Sequence, residues 1–316
     1  SLTRWKPDYD SAGAAYEKAA AIFKALKQPA KAISCYTNCG DCFYKCGIYY
    51  KSGQGFENAA NICKDTKDFG MAVELYTKAS NSYLDDGKGN RAGEALTKAA
   101  KMLADNGNIP QAIELYKSAV ESLSMGGTYH NAMSTYRGYN DFLIRNSQWE
   151  EAISNCLEMI VGYKALTQHD NVNKTCTSII LICLKMDDYV RADEYHKKFQ
   201  SEHNSYGTSK ESDISEDFLD AFERMDSTAL ETAKQNHHLK YLEATVYKMV
   251  SKLTLSGGIE LSSQTRKPRQ PKPVDAKKKS LLSHDENSEE DSDSGDEQQP
   301  VEEDNADDAF DPTDLT

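Results

Sequence analysis

Small and aromatic residues recur along the chain with a period of 20 positions. Positions four and seven residues after each period start also favour small, aromatic or apolar side chains. Residues at these spacings lie on one face of an α-helix, whereas a strand would need alternation at every second position. The pattern therefore predicts a series of helices, each burying one face. The period starts include Ala12, Ala32, Ala72, Ala92, Ala112, Ala132, Ala152 and Ala192, followed by Tyr16, Tyr36, Phe56, Tyr76, Tyr116 and Tyr136.

Two consecutive 20-residue units would form one antiparallel helical hairpin, which is close in length to the units of known helical repeat arrays. The fold class expected is all-α: a TPR-like right-handed solenoid of antiparallel helix hairpins. We predict about five hairpins over residues 1–206, a C-terminal helical bundle over 207–256 that packs on the array, and a disordered tail over 257–316.

Glycine and proline residues are expected to mark the ends of these helices. Glycine favours the position just after a helix, and proline is tolerated in the first turn. We predict helix ends at Gly53 and Gly55, at Gly87 and Gly89, at Gly107, and at Gly126 and Gly127. We predict first turns at Pro29 and Pro110.

Charge is distributed unevenly along the 316 residues, whose formal net charge is −13. Residues 285–316 contain 15 acidic and no basic residues, whereas 266–279 contain seven basic residues and one acid. Only 39% of all residues are hydrophobic, and segments with little apolar surface cannot offset the entropy of folding. This composition favours a disordered tail and argues against a nucleic-acid-binding protein. The chain also has no apolar run long enough to span a membrane.

The sharpest candidate for chemistry is the run Cys35, Cys39, Cys42 and Cys46, whose first three members match the spacing of iron–sulfur radical enzymes. On a helix, the outer two would lie about 16 Å apart at ~1.5 Å per residue, too far for one metal ion. We therefore interpret these cysteines as core residues, and the pair His237 and His238 as solvent-facing. No nucleotide, protease or hydrolase motif is present. We expect no enzyme activity, metal, cofactor or small-molecule substrate.

Three segments resemble the soluble NSF attachment protein (SNAP) family, most of all its gamma type. They read Trp-Lys-Pro-Asp-Tyr-Asp-Ser-Ala at 5–12, Asp-Asp-Tyr-Val-Arg-Ala-Asp-Glu at 187–194 and Leu-Thr-Leu-Ser-Gly-Gly-Ile at 253–259. Their order and the 20-residue rhythm fit the family along about 5–260, as expected of a distant member.

The resemblance implies an adaptor that catalyses nothing itself. SNAPs coat the four-helix SNARE bundle and recruit the ATPase NSF, which pulls the bundle apart during vesicle trafficking. The expected partners are therefore an assembled SNARE complex and NSF, with peripheral contact on the cytosolic face of membranes in the cytoplasm. In the family, a leucine next to the C-terminal residue stimulates NSF, and Leu315 holds that place here.

An acidic SNARE bundle would need basic residues on the surface that faces it. The candidates on predicted helices are Lys78, Lys98, Lys101 and Lys117. An alternative reading is a generic TPR-like peptide-binding scaffold, such as a chaperone or motor adaptor. The two readings differ in whether binding depends on SNARE assembly.

Overall fold

The computed structural model describes residues 7–125 and 129–255. Over those ranges the chain forms thirteen α-helices, one 3-10 helix and no strand, so the predicted all-α class is confirmed. The first ten helices begin at intervals of 20 residues. They are α1 (Tyr9–Ala25), α2 (Pro29–Lys45), α3 (Tyr49–Asp65), α4 (Phe69–Asp85), α5 (Gly89–Asp105), α6 (Ile109–Ser124), α7 (Tyr129–Arg145), α8 (Trp149–Ala165), α9 (His169–Lys185) and α10 (Tyr189–Glu202).

The turns that follow α1 to α5 and α7 to α9 are built in the same way. The second residue of each turn has a positive φ of 54–78°, a conformation that suits glycine best. The next residue donates its backbone N–H to a carbonyl five positions back, as Asp68 does to Cys63 at 2.9 Å. This bond pattern stops a helix and reverses the chain. The positive-φ residues are Lys27, Gly47, Lys67, Gly87, Gly107, Ser147, Thr167 and Asp187.

Several helices begin with a side-chain cap or a proline. The side chains of Asp8, Asp68 and Asp188 each accept a hydrogen bond from a backbone N–H of the first turn, which satisfies a donor that the helix leaves unpaired. Pro29 and Pro110 lie in first turns, as predicted.

The periodic positions form the core, as the pattern predicts. In α4, Ala72, Tyr76 and Ala79 are completely buried, and the equivalent positions of the later helices are buried too. Helix α1 differs, because Tyr16 remains 38% exposed. Consecutive helices pack against each other, and among the described residues only α2 packs closely on α1. A periodic residue is therefore buried only where helices cover both of its sides.

The prediction that Gly53 and Gly55 end a helix is wrong, since both lie inside α3. A Cβ atom on Gly55 would lie 2.8 Å from the backbone nitrogen of Gly40 in α2. A Cβ atom on Gly53 would lie 2.6 Å from the Tyr83 ring in α4. These glycines allow α3 to approach both neighbours closely.

Gly87 and Gly107, by contrast, follow helices as predicted. The prediction is wrong for Gly89, which begins α5 at a point where a Cβ atom would lie 2.6 Å from the backbone oxygen of Ser122. Gly126 and Gly127 lie outside the described residues.

Four shorter elements follow the periodic helices: α11 (Lys210–Glu223), α12 (Ser227–Lys234), the 3-10 helix (His237–Tyr241) and α13 (Ala244–Val250). Helix α11 packs on α9, and α13 packs on α7 and α9. One hydrophobic cluster extends from α5 to these elements. The boundary at residue 206 stays a prediction, and the predicted tail at 257–316 lies outside the described residues.

Candidate partner-binding surface

A recess of about 750 Å³ opens between α5 and α7, beside the start of α9. A smaller recess of about 230 Å³ adjoins it and shares Arg137, Tyr163 and Asn171. We call the two together the basic recess, because four basic side chains and two acidic ones line it. The basic residues are Lys98, Lys101, Arg137 and Lys174, and the acidic ones are Glu94 and Glu243.

The position of Lys98 depends on a buried carboxylate. Its ammonium donates to Glu57 at 2.6 Å, and Glu57 also accepts hydrogen bonds from Tyr83 at 2.7 Å and Arg91 at 3.0 Å. Burial alone would raise the pKa of Glu57, but the hydrogen bonds from Lys98 and Tyr83, with the charges of Lys98 and Arg91, leave that pKa lowered. Glu57 therefore stays ionised and orients Lys98 at the edge of the basic recess.

Arg137 forms the centre of the basic recess, and it faces the C-terminal elements. The carboxyl group of Glu243 lies just before α13 and lines the same recess. Burial raises the pKa of Glu243, the nearby Arg137 opposes this rise, and Asp141 adds to it. Thr245 donates to Asp141 at 2.5 Å and so connects α13 to α7. The C-terminal elements thereby complete one wall of the recess.

The structure separates the four lysines proposed from the sequence. Lys98 and Lys101 both line the basic recess. Lys78 lies on α4 with its ammonium 5.7 Å from the centre of the Phe56 ring. Lys117 lies on α6, 3.6 Å from Glu114, and lines a different recess. Leu315 lies outside the described residues, and the binding roles of all five residues stay predictions.

Sequence reasoning did not identify Arg137 and Lys174. The basic recess is formed by α5, α7 and α9, which alternate along the chain with α6 and α8. Basic residues that share this surface therefore lie on every second helix, as Lys98 on α5 and Arg137 on α7 do. Residues 20 positions apart, such as Lys78 and Lys98, lie on adjacent helices instead. A search for basic residues on every second helix would have found both.

The cysteine run has mixed surroundings. Cys39 is buried, and burial together with Glu17 raises the pKa of its thiol to about 12. Cys35 and Cys42 are half-buried, and Cys46 is exposed, so the interpretation of the run as core is right for Cys39 and wrong for Cys46. The cysteines Cys63, Cys156, Cys176 and Cys183 are buried.

Two further findings concern the part of the chain that the structure describes. Over 7–125 and 129–255, no group of three or more His, Cys, Asp or Glu residues is arranged to hold a metal ion. None of the helices in those ranges has both the length and the apolar character needed to cross a membrane.

Known proteins resemble this chain over most of its length. The family described as "Soluble NSF attachment protein, SNAP" matches residues 5–248. The gamma-soluble NSF attachment protein of Dictyostelium discoideum is 25% identical over 256 residues, which cover 81% of this chain and 78% of that protein.

Two solved structures are similar to this chain at lower identity. BtubC (BKLC) from P. vanneervenii gives a TM-score of 0.34 at 12% identity, over 64% of this chain and 94% of that one. Aspartyl phosphate phosphatase F from Bacillus subtilis gives a TM-score of 0.36 at 15% identity, over 72% of this chain and 65% of that one. Similarity at this level carries no argument about function.

Proposed function

The chain belongs to the soluble NSF attachment protein family, and from this premise we propose that it is an adaptor that binds assembled SNARE complexes and recruits the ATPase NSF. It catalyses no reaction itself and acts in vesicle trafficking, in the cytoplasm and at the cytosolic face of membranes. The observation that carries the proposal is the family match over residues 5–248.

The basic recess supports the SNARE-binding part of the proposal. An acidic helical bundle needs a complementary basic surface, and surface charge of the right sign speeds and orients association. Lys101 and Arg137 are both exposed, and no ion pair within 4 Å engages either of them among the described residues. Both are therefore available to acidic side chains of a partner.

The test is a pull-down that compares assembled with separated SNAREs, with NSF present and ATP hydrolysis blocked. The expected result is retention of the assembled complex and of NSF together with it. Equal retention of separated and assembled SNAREs would instead favour a generic peptide-binding scaffold. Retention of neither separated nor assembled SNAREs would favour another function.

A pair of variants locates the binding surface. Lys101→Glu with Arg137→Glu reverses two charges in the basic recess and should weaken SNARE binding at least tenfold. Lys31→Glu with Lys64→Glu makes the same change in charge on exposed positions outside the recess and should leave binding unchanged. Equal loss in both variants would mean that net charge, rather than this recess, controls binding.

A further inference from the structure

A second recess, of about 690 Å³, lies between α6 and α8 with α7 as its floor. Val120 of α6 and the rings of Tyr136 and Tyr139 of α7 give it an apolar lining. Its volume lies within the range of ~300–1,000 Å³ that is usual for ligand pockets. None of its lining residues lines the basic recess.

The rim of this second recess is acidic, and we call it the acidic recess. Glu121 on α6 and Glu150, Glu151 and Glu158 on α8 line it, opposed by the single base Lys117. Glu150 is already paired with Arg191 of α10 at 2.8 Å. The other three glutamates have no ion pair within 4 Å in the part of the chain that the structure describes.

A buried hydroxyl group without a partner marks the floor. Tyr139 is only 3% exposed, and its ring stacks on Tyr116 with centroids 4.9 Å apart. Its hydroxyl has no hydrogen-bond partner among the described residues, which is unusual for a buried polar group. Burial raises the pKa of this hydroxyl, and Glu151 and Glu114 add to the effect. The group therefore keeps its proton and can donate a hydrogen bond.

The residue at this position departs from the 20-residue pattern. The equivalent positions on the preceding helices hold the small residues Ala79, Ala99 and Ala119, all fully buried. The equivalent positions on the following helices hold Met159, Ile179 and Phe199, which are larger but also apolar and buried, so core packing at this position uses no polar group. Tyr139 brings a hydroxyl group to the floor of the acidic recess, and core packing alone does not require that group.

We propose that the acidic recess docks a peptide segment of a partner protein that carries two basic residues around an aliphatic one. The aliphatic side chain would pack on Val120 and Tyr136, and the basic side chains would pair with the rim glutamates. The Tyr139 hydroxyl is covered in the structure, so it would donate to a backbone carbonyl of the peptide after a small shift of the side chains above it.

The spacing of the rim favours an extended peptide over a small cation. Glu151 and Glu158 are seven residues apart on α8, which corresponds to a rise of about 10 Å. An extended peptide advances ~3.3 Å per residue. Basic residues four positions apart lie on the same face of such a peptide at a separation of about 13 Å, so their long side chains can reach both carboxylates at once, and the residue midway between them faces the recess as well.

The first experiment selects phage-displayed random dodecapeptides against the immobilised full chain. The expected outcome is enrichment of sequences with two Lys or Arg residues four positions apart and an aliphatic residue midway between them. No enrichment, or enrichment of acidic sequences, would overturn the proposal. An enriched peptide that spermidine displaces as strongly as an unlabelled copy would also overturn it, because the recess would then bind polyamines.

Variants connect the enriched peptide to this recess. Glu151→Gln with Glu158→Gln should weaken its binding about tenfold, whereas Glu17→Gln with Glu74→Gln, the same change on exposed positions elsewhere, should leave it unchanged. Equal affinities for both double variants would contradict the assignment.

Tyr139→Phe gives a second and independent readout. It should weaken peptide binding several-fold while leaving the thermal unfolding midpoint unchanged or raised, because it removes a buried group that has no partner in the described chain. A fall in the unfolding midpoint without any loss of peptide binding would assign the hydroxyl a purely structural role and overturn its part in recognition.

Discussion

The ammonium of Lys98 on α5 lies 2.6 Å from a carboxylate oxygen of Glu57 on α3, although the two residues are 41 positions apart. The same carboxylate holds Arg91 and Tyr83. Replacing Glu57 with Gln should lower the free energy of unfolding by about 1–3 kcal/mol, because hydrogen bonds to a buried charged group are lost. Chemical denaturation measures this change.

Glu94→Gln serves as the control for Glu57→Gln. Glu94 also pairs with Arg91, at 3.1 Å, but its side chain is 49% exposed. Exposed pairs contribute little, so this variant should unfold nearly as the wild type does. A similar loss in both variants would mean that burial of Glu57 has no special effect.

The lowered pKa of Glu57 also predicts a dependence on pH. A carboxyl group whose pKa is lower in the folded state stabilises the fold above its unfolded pKa of ~4.3 and loses that contribution as the pH falls through the folded pKa. The difference in unfolding free energy between wild type and Glu57→Gln should therefore be largest near neutral pH and narrow below about pH 4. Denaturation series across this range provide the measurement, and a constant difference would argue against ionised Glu57 as the cause.

Thr167 occupies a turn position where three equivalent turns hold glycine. Its φ is 56°, and a β-branched residue is strained there. Thr167→Gly should raise the free energy of unfolding by about 1 kcal/mol. Thr167→Ala removes the branch and the hydroxyl but keeps the Cβ atom, so it should raise the free energy of unfolding by less than Thr167→Gly does. If the two variants are equally stable, relief of backbone strain at residue 167 does not explain the gain in unfolding free energy.

Gly55 controls the distance between α2 and α3. A methyl group there would meet the backbone nitrogen of Gly40 at 2.8 Å, and backbone atoms cannot yield as a flexible side chain can. Gly55→Ala should therefore destabilise the protein by about 1–3 kcal/mol. Gly138→Ala is the matched control, because it has open space around it inside α7 and should stabilise by about 1 kcal/mol through helix propensity. Thermal unfolding of both variants should move in opposite directions.

The C-terminal residues provide a test of the NSF part of the proposed function. Deleting Leu315 and Thr316 should reduce stimulation of the NSF ATPase while leaving SNARE binding intact, because the resemblance to the family assigns stimulation to Leu315. ATPase assays with SNARE complex present measure the effect. Full stimulation by the shortened protein would reject this role for Leu315.

The 20-residue pattern predicts the fold well because each helix repeats the same contacts. Offsets of four and seven residues are enough to identify Tyr76 and Ala79 as core positions. The interior position of Gly55 could not be derived in this way, because its reason is the backbone of Gly40 on another helix. Local sequence cannot distinguish a glycine that ends a helix from one that admits a neighbour.

The basic recess could be predicted only in part. Lys98 and Lys101 lie on one helix, so their proximity follows from the sequence. Their closeness to Arg137 depends on which helices share a surface. The anchoring of Lys98 by Glu57 depends on the packing of α3 and α5 on the same intervening helix, α4. Such relationships arise between helices, where the spacing of residues along the chain gives no direct signal.

The uniform length of the first ten units restricts how this architecture can change over evolutionary time. Duplication or loss of a complete pair of helices leaves the 20-residue spacing between the remaining helix starts unchanged, so each remaining helix still meets a neighbour of similar length. A single residue inserted into a helix would rotate all later side chains of that helix by about 100° and turn its alanines away from their neighbours. We therefore expect the gain or loss of a complete pair to preserve the packing of the remaining helices, and a change in the length of one helix to disrupt it.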